Sequence, residues 1–372
     1  MEKKLNTTLI NDKMLGLGLS QTDLAEQLGV TKAAISSWLK PEKFPRPRHL
    51  LKLAEMLNLD YSEIVLKPAL SQPAVAFRKS GNYKIQETHR EQFFHVSRLL
   101  NRLVPYLPFD SLSAPAILKE PLLDYDYIQR AAKAVRDEIG KDIIEIEDFV
   151  GLFYRLQAVL IPVLWGEKHY KNGTHVFLPD TQSTWIFINL DTKILDFKFW
   201  LAHELAHAKA PQLLEQDGES FADQFAGALL FPSELAAIAY EDLTQKTKKS
   251  AKIAHIQKLA EKYTISPITI YKEIQSYARW TSKDVFDLES DSLIYKSTTE
   301  FNKKHKLLSQ ILFTNERPEP KEYIQVAKAK FKTCFFDCLS KYLKTHEDEP
   351  AKFIASILDI PLADAFSLKQ EL

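Results

Sequence analysis

Phe199-Trp200-Leu201-Ala202-His203-Glu204-Leu205-Ala206-His207-Ala208-Lys209 is the stretch on which the reading of this chain turns. Histidines at i and i+4 lie on one helix face about one turn apart, so both imidazoles can reach a single metal ion. Glu204 would project alongside such an ion rather than onto it, where it can take a proton from bound water. Phe199 to Ala202 give the helix an apolar face with which to bury itself. A bare HExxH arises by chance in roughly one or two such chains per hundred. The alternative is a helix with two histidines and no metal, and the flanking residues must decide.

A catalytic zinc usually has three protein ligands and one open position. Pro211 breaks the helix, so the chain can turn and return through Glu219-Ser220-Phe221-Ala222-Asp223-Gln224-Phe225-Ala226-Gly227-Ala228-Leu229-Leu230-Phe231-Pro232. Phe221, Phe225 and Leu229 form one stripe, while Ala222 and Ala226 let this second helix pack closely on the first. Glu219 is the candidate third ligand. Asp223, one turn further on, is either a ligand instead or a group that orients a histidine. Ala158 to Leu164 reads as a strand, and Trp185 to Asn189 as a second; the latter lies just upstream of the HExxH helix, which resembles the place where a zincin has an edge strand that can pair with an extended substrate. Helices are expected over Tyr127–Ile139, Glu147–Leu156, Phe197–Lys209 and Glu219–Leu230.

Phe199, His203-Glu204-Leu205-Ala206-His207, Glu219, Ala222-Asp223, Phe225-Ala226 and Leu229-Leu230-Phe231-Pro232 follow one another as in the ImmA/IrrE family of zinc metallopeptidases, which this segment resembles from about Tyr127 to Ile274. The resemblance implies Zn2+ as cofactor, His203, His207 and Glu219 as its ligands, and Glu204 as the catalytic general base. Ala206 stands where the family has glycine, Phe231 where it has methionine, and the loop from His207 to Glu219 is short; none of these removes a catalytic group. A tetrahedral intermediate also needs a second stabilising group. His169, His175, Tyr240 and His255 are the candidates.

The N-terminus carries a different signal. Ser20 is a good N-cap, Asp23 sits three residues on, and Gly29 suits a left-handed turn, so Gln21 to Leu28 is a short capped helix. Thr31 then caps a second helix, Lys32 to Leu39. Ala25, Gly29 and Ile35 supply the small residue, turn former and core aliphatic that two helices crossing in a tight turn require. From about Leu9 to Val65 this resembles the Cro/phage-repressor-like (XRE) helix-turn-helix family. There the second helix enters the major groove. The resemblance implies base and phosphate contacts from Lys32, Ala33, Ser36, Ser37 and Lys40, with Gln21 on phosphate. Residues 31–48 hold five Lys/Arg against one Glu. So few cations on one protomer predict a homodimer on a double-stranded DNA operator. The alternative is a small helical bundle that docks on protein.

The 372 residues carry 49 Lys+Arg against 49 Asp+Glu, so bulk charge cannot drive nucleic-acid binding. The composition, 45% hydrophobic and 11% aromatic, excludes a disordered chain. No stretch reaches about 18 apolar residues, so no membrane partner is expected. Two cysteines, Cys334 and Cys338, cannot frame a disulfide scaffold; they read as buried thiols on a helix. These bounds predict a cytoplasmic protein.

The expected fold class is mainly α with a small α+β zincin-like domain, an N-terminal helix-turn-helix bundle and a C-terminal helical region. The expected divisions are a helix-turn-helix domain over 1–66, a proline-punctuated connector with one helix (Glu91–Leu103) over 67–121, a metallopeptidase domain over 122–280, and a helical domain over 281–372. A second helix-turn-helix-like pattern from Ala254 to Tyr277 is read as structural. Together the resemblances imply a DNA-binding transcription regulator carrying a zinc-dependent endopeptidase. It would cleave a repressor-type protein or itself, in stress, mobile-element or toxin–antitoxin regulation. The alternative is a non-enzymatic repressor or antitoxin whose zinc domain senses a signal or grips a protein partner such as a toxin.

Overall fold

Helix punctuation builds the first unit. In the computed structural model, which describes residues 5–40, 44–59, 61–65, 74–77, 87–109, 118–167, 173–178, 181–213 and 215–372, helices α1 (Thr7–Gly16), α2 (Gln21–Leu28), α3 (Lys32–Leu39), α4 (Pro47–Leu57) and α5 (Tyr61–Ile64) enclose their own core. Leu24, Leu28, Ile35, Leu50, Leu53 and Leu57 are buried in it. Leu15, which shares their helical spacing, turns outward instead and is 84% exposed. The ends of the unit close on each other, with the amide of Asn6 donating to the Ile64 carbonyl at 2.6 Å.

The connector adds strand β1 (Ala74–Phe77) and helix α6 (Glu87–Leu103). The connector therefore holds more than the single helix expected of it, although parts of it, including Pro68, Pro73 and Pro115, lie outside the described residues. Helices α7 (Tyr125–Ile139) and α8 (Ile146–Arg155) follow. Then come β2 (Ala158–Val163), β3 (Gly173–Leu178) and β4 (Ser183–Asn189), and after them α9 (Ile194–Lys209) and α10 (Glu215–Leu230). The sheet runs β1-β3-β4-β2, with β2 parallel to β4 and β3 antiparallel to both its neighbours. Strand β4 was expected at the edge, and the structure corrects this: β3, whose Gly-Thr-His-Val-Phe-Leu pattern is too short and mixed to stand out, lies between β4 and β1.

Strand β2 reads Ala-Val-Leu-Ile-Pro-Val and is buried throughout, as a run apolar on both faces must be. It lies at the end of the sheet, where unpaired backbone needs cover. The C-terminal residues provide it. Thr333 and Tyr323 donate their hydroxyls to the carbonyls of Leu160 and Pro162, two residues apart on β2.

After α11 (Ser233–Thr244), α12 (Lys249–Tyr263) and α13 (Pro267–Trp280), the chain continues through α14 (Leu293–Lys303), α15 (Leu308–Leu312), α16 (Pro320–Phe331), α17 (Phe335–Thr345), α18 (Lys352–Leu358) and α19 (Leu362–Gln370). These helices share one continuous apolar core with the sheet and with α9. Trp165 Nε1 also donates to the Leu358 carbonyl at 2.7 Å. Cys338 is buried and Cys334 half-buried, both as free thiols, and Cys334 forms the N-cap of α17 rather than its interior. Helix α13 buries Pro267, Ile270, Tyr271 and Ile274, so it is a packed helix rather than one offered to a groove. No helix among the described residues is long and apolar enough to cross a membrane.

Glu273 of α13 is buried over Gly227 of α10, so closely that a Cβ at Gly227 would lie 2.0 Å from its Oε1. Burial pushes this carboxyl up to about 8, from an ordinary 4.5, against the opposing charge of Lys272. Below pH 4.5 the group is neutral whether folded or unfolded. Between there and about 8 only the unfolded chain gives up the proton, so stability falls as pH rises and levels off above. Glu273→Gln removes that dependence: thermal unfolding from pH 5 to 8 should show the variant gaining on the wild type as pH increases.

Candidate functional site

Helix α9 is apolar on nearly every side, so it is an interior helix and carries its polar residues into the core. His203, Glu204 and His207 are 0%, 2% and 5% exposed. Helix α10 packs against α9, and its Phe221, Ala222, Phe225 and Ala226 are all buried. Gly218 permits the entry to that contact, because a Cβ there would lie 2.7 Å from the Leu213 carbonyl oxygen and 3.8 Å from His207 Cε1. The turn thus sets Glu219 beside both imidazoles.

The three side chains converge. His203 Nε2 is 3.0 Å from His207 Nε2 and 3.6 Å from Glu219 Oε2, and His207 Nε2 is 3.3 Å from Glu219 Oε1. Ligands at 2.0–2.2 Å from a tetrahedral zinc stand about 3.3–3.6 Å apart along each edge, close to the spread found here. Two imidazole nitrogens facing each other at 3.0 Å repel through their lone pairs unless a proton or cation lies between them. The cluster therefore fits a small divalent ion, and among the described residues it is the group of histidines and carboxylates that could share one. His203 Nδ1 donates to Asp223 Oδ1 at 3.0 Å, which leaves Nε2 as the lone-pair atom turned to the cluster. Of the two roles open to Asp223, this geometry is that of an orienting group.

Burial disfavours charge on the His207 ring and lowers its pKa, partly offset by its hydrogen bond to Glu219. Burial by itself would raise Glu219, yet the bonds to His203 and His207 outweigh it and hold the carboxyl at about 2. A neutral His207 beside an ionised Glu219 is the pairing of protonation states a metal requires.

Glu204 lies against β3, where a Cβ at Gly173 would come within 2.7 Å of its Oε1. His175, also on β3, is buried with its ring stacked 5.9 Å from that of His207, and its Nε2 has no hydrogen-bond partner among the described residues. Burial and the two neighbouring histidines push His175 down to about 3. Of the four groups considered for stabilising developing charge, His175 is the one brought to the cluster. Tyr240 instead donates to the Asp284 carbonyl at 2.9 Å, His255 sits 3.3 Å from Asp242, and His169 lies outside the described residues. Sequence reading missed Gly173 and Gly218, since a glycine's value as a point of close approach shows only once its neighbour across the fold is known.

In the N-terminal unit, Ser20 and Asp23 form a reciprocal capping box on α2. Gly29 takes the left-handed conformation at φ 66°, and Thr31 accepts the Ala34 amide to start α3. Lys32, Ala33 and Lys40 are exposed, and Gln21, Ser36 and Ser37 partly so. Ser37 spends its hydroxyl on the Ala34 carbonyl at 2.8 Å.

A family model described as Helix-turn-helix matches residues 10–64. The N-terminal unit is thus a helix-turn-helix DNA-binding domain of the kind that transcription regulators carry. No curated protein and no solved structure matches the chain. If α3 is the groove helix, Lys32→Glu with Lys40→Glu should weaken DNA binding at least tenfold and flatten its salt dependence by about two counterions. Fluorescence anisotropy on genomic operator fragments, across a salt series, reads both effects.

Proposed function

We propose that this regulator carries a zinc-dependent endopeptidase in the unit built around α9 and α10, acting on a repressor-type protein or on its own chain. The observation that carries the reading is the convergence of His203, His207 and Glu219, with Glu204 next to His203 on the buried helix α9. Zn2+ held by these three groups would supply Lewis acidity to a peptide carbonyl and acidify the attacking water.

The chain's own residues then have separate tasks. Asp223 holds the His203 ring and its tautomer, so that Nε2 is presented without reorganisation. A Glu204 carboxylate oxygen accepts the proton of the attacking water and passes it to the leaving amine nitrogen. His175, stacked on His207 with its Nε2 unpartnered among the described residues, would donate an Nε2–H to the carbonyl oxygen as its charge grows. The surrounding apolar core excludes bulk water, which strengthens each of these interactions. At the DNA end, one exposed recognition helix per protomer supports a homodimer on a two-part operator, as the small number of cations suggested.

Metal analysis and cleavage assays test this together. Purified protein should contain about one zinc per chain. Glu204→Gln should keep the zinc and lose all cleavage of co-expressed repressor-type proteins or of itself. Cleavage that persists in the variant moves the base elsewhere, and wild-type protein that binds zinc but cuts nothing favours the sensing or partner-gripping alternative. Asp223→Ala should weaken zinc binding roughly 10–100-fold while leaving the thermal transition of the metal-free protein within a few degrees.

A further inference from the structure

Strand β1 occupies an unusual position. It is four residues long, Ala74-Val75-Ala76-Phe77, and belongs to the stretch joining the DNA-binding unit to the rest of the chain. It pairs antiparallel with β3 in the register Ala74 to Phe177, Val75 to Val176, Ala76 to His175 and Phe77 to Thr174. His175 is the residue whose ring stacks on His207, and Thr174 adjoins Gly173, against which Glu204 rests. Helix α10, which carries Glu219, also has Cα atoms within 8 Å of β1. An extended segment of small and apolar residues thus runs along the β3 edge, on the strand that carries His175 and that meets Glu204 at Gly173.

The two ends of the sheet are covered differently. At β2, hydroxyls from the C-terminal helical region satisfy the outward carbonyls. At β3 the cover is backbone pairing by β1, the mode by which a sheet edge takes up a peptide: ladder hydrogen bonds supply affinity without demanding a particular sequence. A strand of four residues at a sheet edge contributes little stability of its own. As part of the same chain it is presented to that edge at a high effective concentration.

We propose that residues 74–77 of the same chain are the resident occupant of the β3 edge along which an extended peptide substrate would lie, and that the edge accordingly favours uncharged, small-to-apolar segments like this one. This rests on the peptidase reading, and it names that site's substrate class and what competes for it. A protein segment arriving from outside must displace β1. With a tethered effective concentration of about 1 mM, an external peptide whose intrinsic Kd is about 0.1 mM is weakened roughly tenfold. Movement of the DNA-binding unit that withdraws β1 would open the site.

Strand pairing needs no metal, so the test is run on metal-free, full-length protein, where absence of hydrolysis cannot affect the result. The probe is a fluorescein-labelled peptide with the sequence of residues 71–80, Ser-Gln-Pro-Ala-Val-Ala-Phe-Arg-Lys-Ser. Val75→Pro with Ala76→Pro removes two amides from β1, and Val75→Gly with Ala76→Gly weakens the strand without proline in case the first variant folds poorly. Both variants should bind the probe about tenfold more tightly than wild type. The β3 amides that point to β1, every second one between 174 and 177, should exchange hydrogen at least tenfold faster in the variants, and added probe should slow them again. Equal probe binding by wild type and variants overturns the proposal, as does unchanged exchange at the β3 amides that point to β1. Loss of cleavage in the zinc-loaded protein with these binding results intact would count against the peptidase reading alone.

Discussion

Close approach of α10 to α9 is the constraint from which the candidate site follows. The two helices pack directly on each other; Ala206 of α9 and Ala222 and Ala226 of α10 are buried, and Phe221 and Phe225 stack on one another along one face of α10. Only at that spacing does a carboxylate on one helix reach imidazoles on the other, and a bulkier side chain in the seam would hold Glu219 and Asp223 away from them. The arrangement is costly before any ion is considered, since it buries two imidazoles and a glutamate carboxyl in an apolar core. A fold that depended on stability alone would have filled these positions with hydrocarbon.

The sheet ties this site to the remainder of the chain. Strand β4 ends in Asn189, whose side chain accepts the Trp165 and Asp191 amides and donates to the Gly166 carbonyl, which fixes the turn into α9. Asp191 in turn accepts the Ser309 hydroxyl at 2.6 Å, and the Ser309 amide reaches the Leu190 carbonyl. Residues 281–372 are thus bonded into the sheet that aims α9 and continue its core, although their sequence shows no chemistry of its own. Their visible role is to seal one edge of the sheet, while the opposite edge is left to a short strand from the connector.

Much of the local architecture was legible. The helix-turn-helix came from caps and a glycine turn, features set by a few adjacent residues, and the family match covers that same stretch. Helices α7 to α10 fall within a few residues of the ranges their apolar spacing predicts, because an amphipathic or fully apolar helix of three turns or more carries its period in the sequence. Strand β3 had no such period to show. The placement of β4 at an edge failed for the same reason, because the order of strands in a sheet is a relation between segments and not a property of any one of them.

Sequence alone determined which side chains share a helix face: His203 with His207 on α9, and Glu219 with Asp223 on α10. The 3.6-residue turn makes these neighbours wherever the helices lie. It could not say that Asp223 would bond Nδ1 of His203 while Glu219 faced Nε2, because that depends on how one helix is rotated against another. Nor could it bring Ala76 opposite His175, about 100 residues away. Local periodicity is written in bond geometry, whereas such pairings are settled only when distant segments compete for the same buried surface.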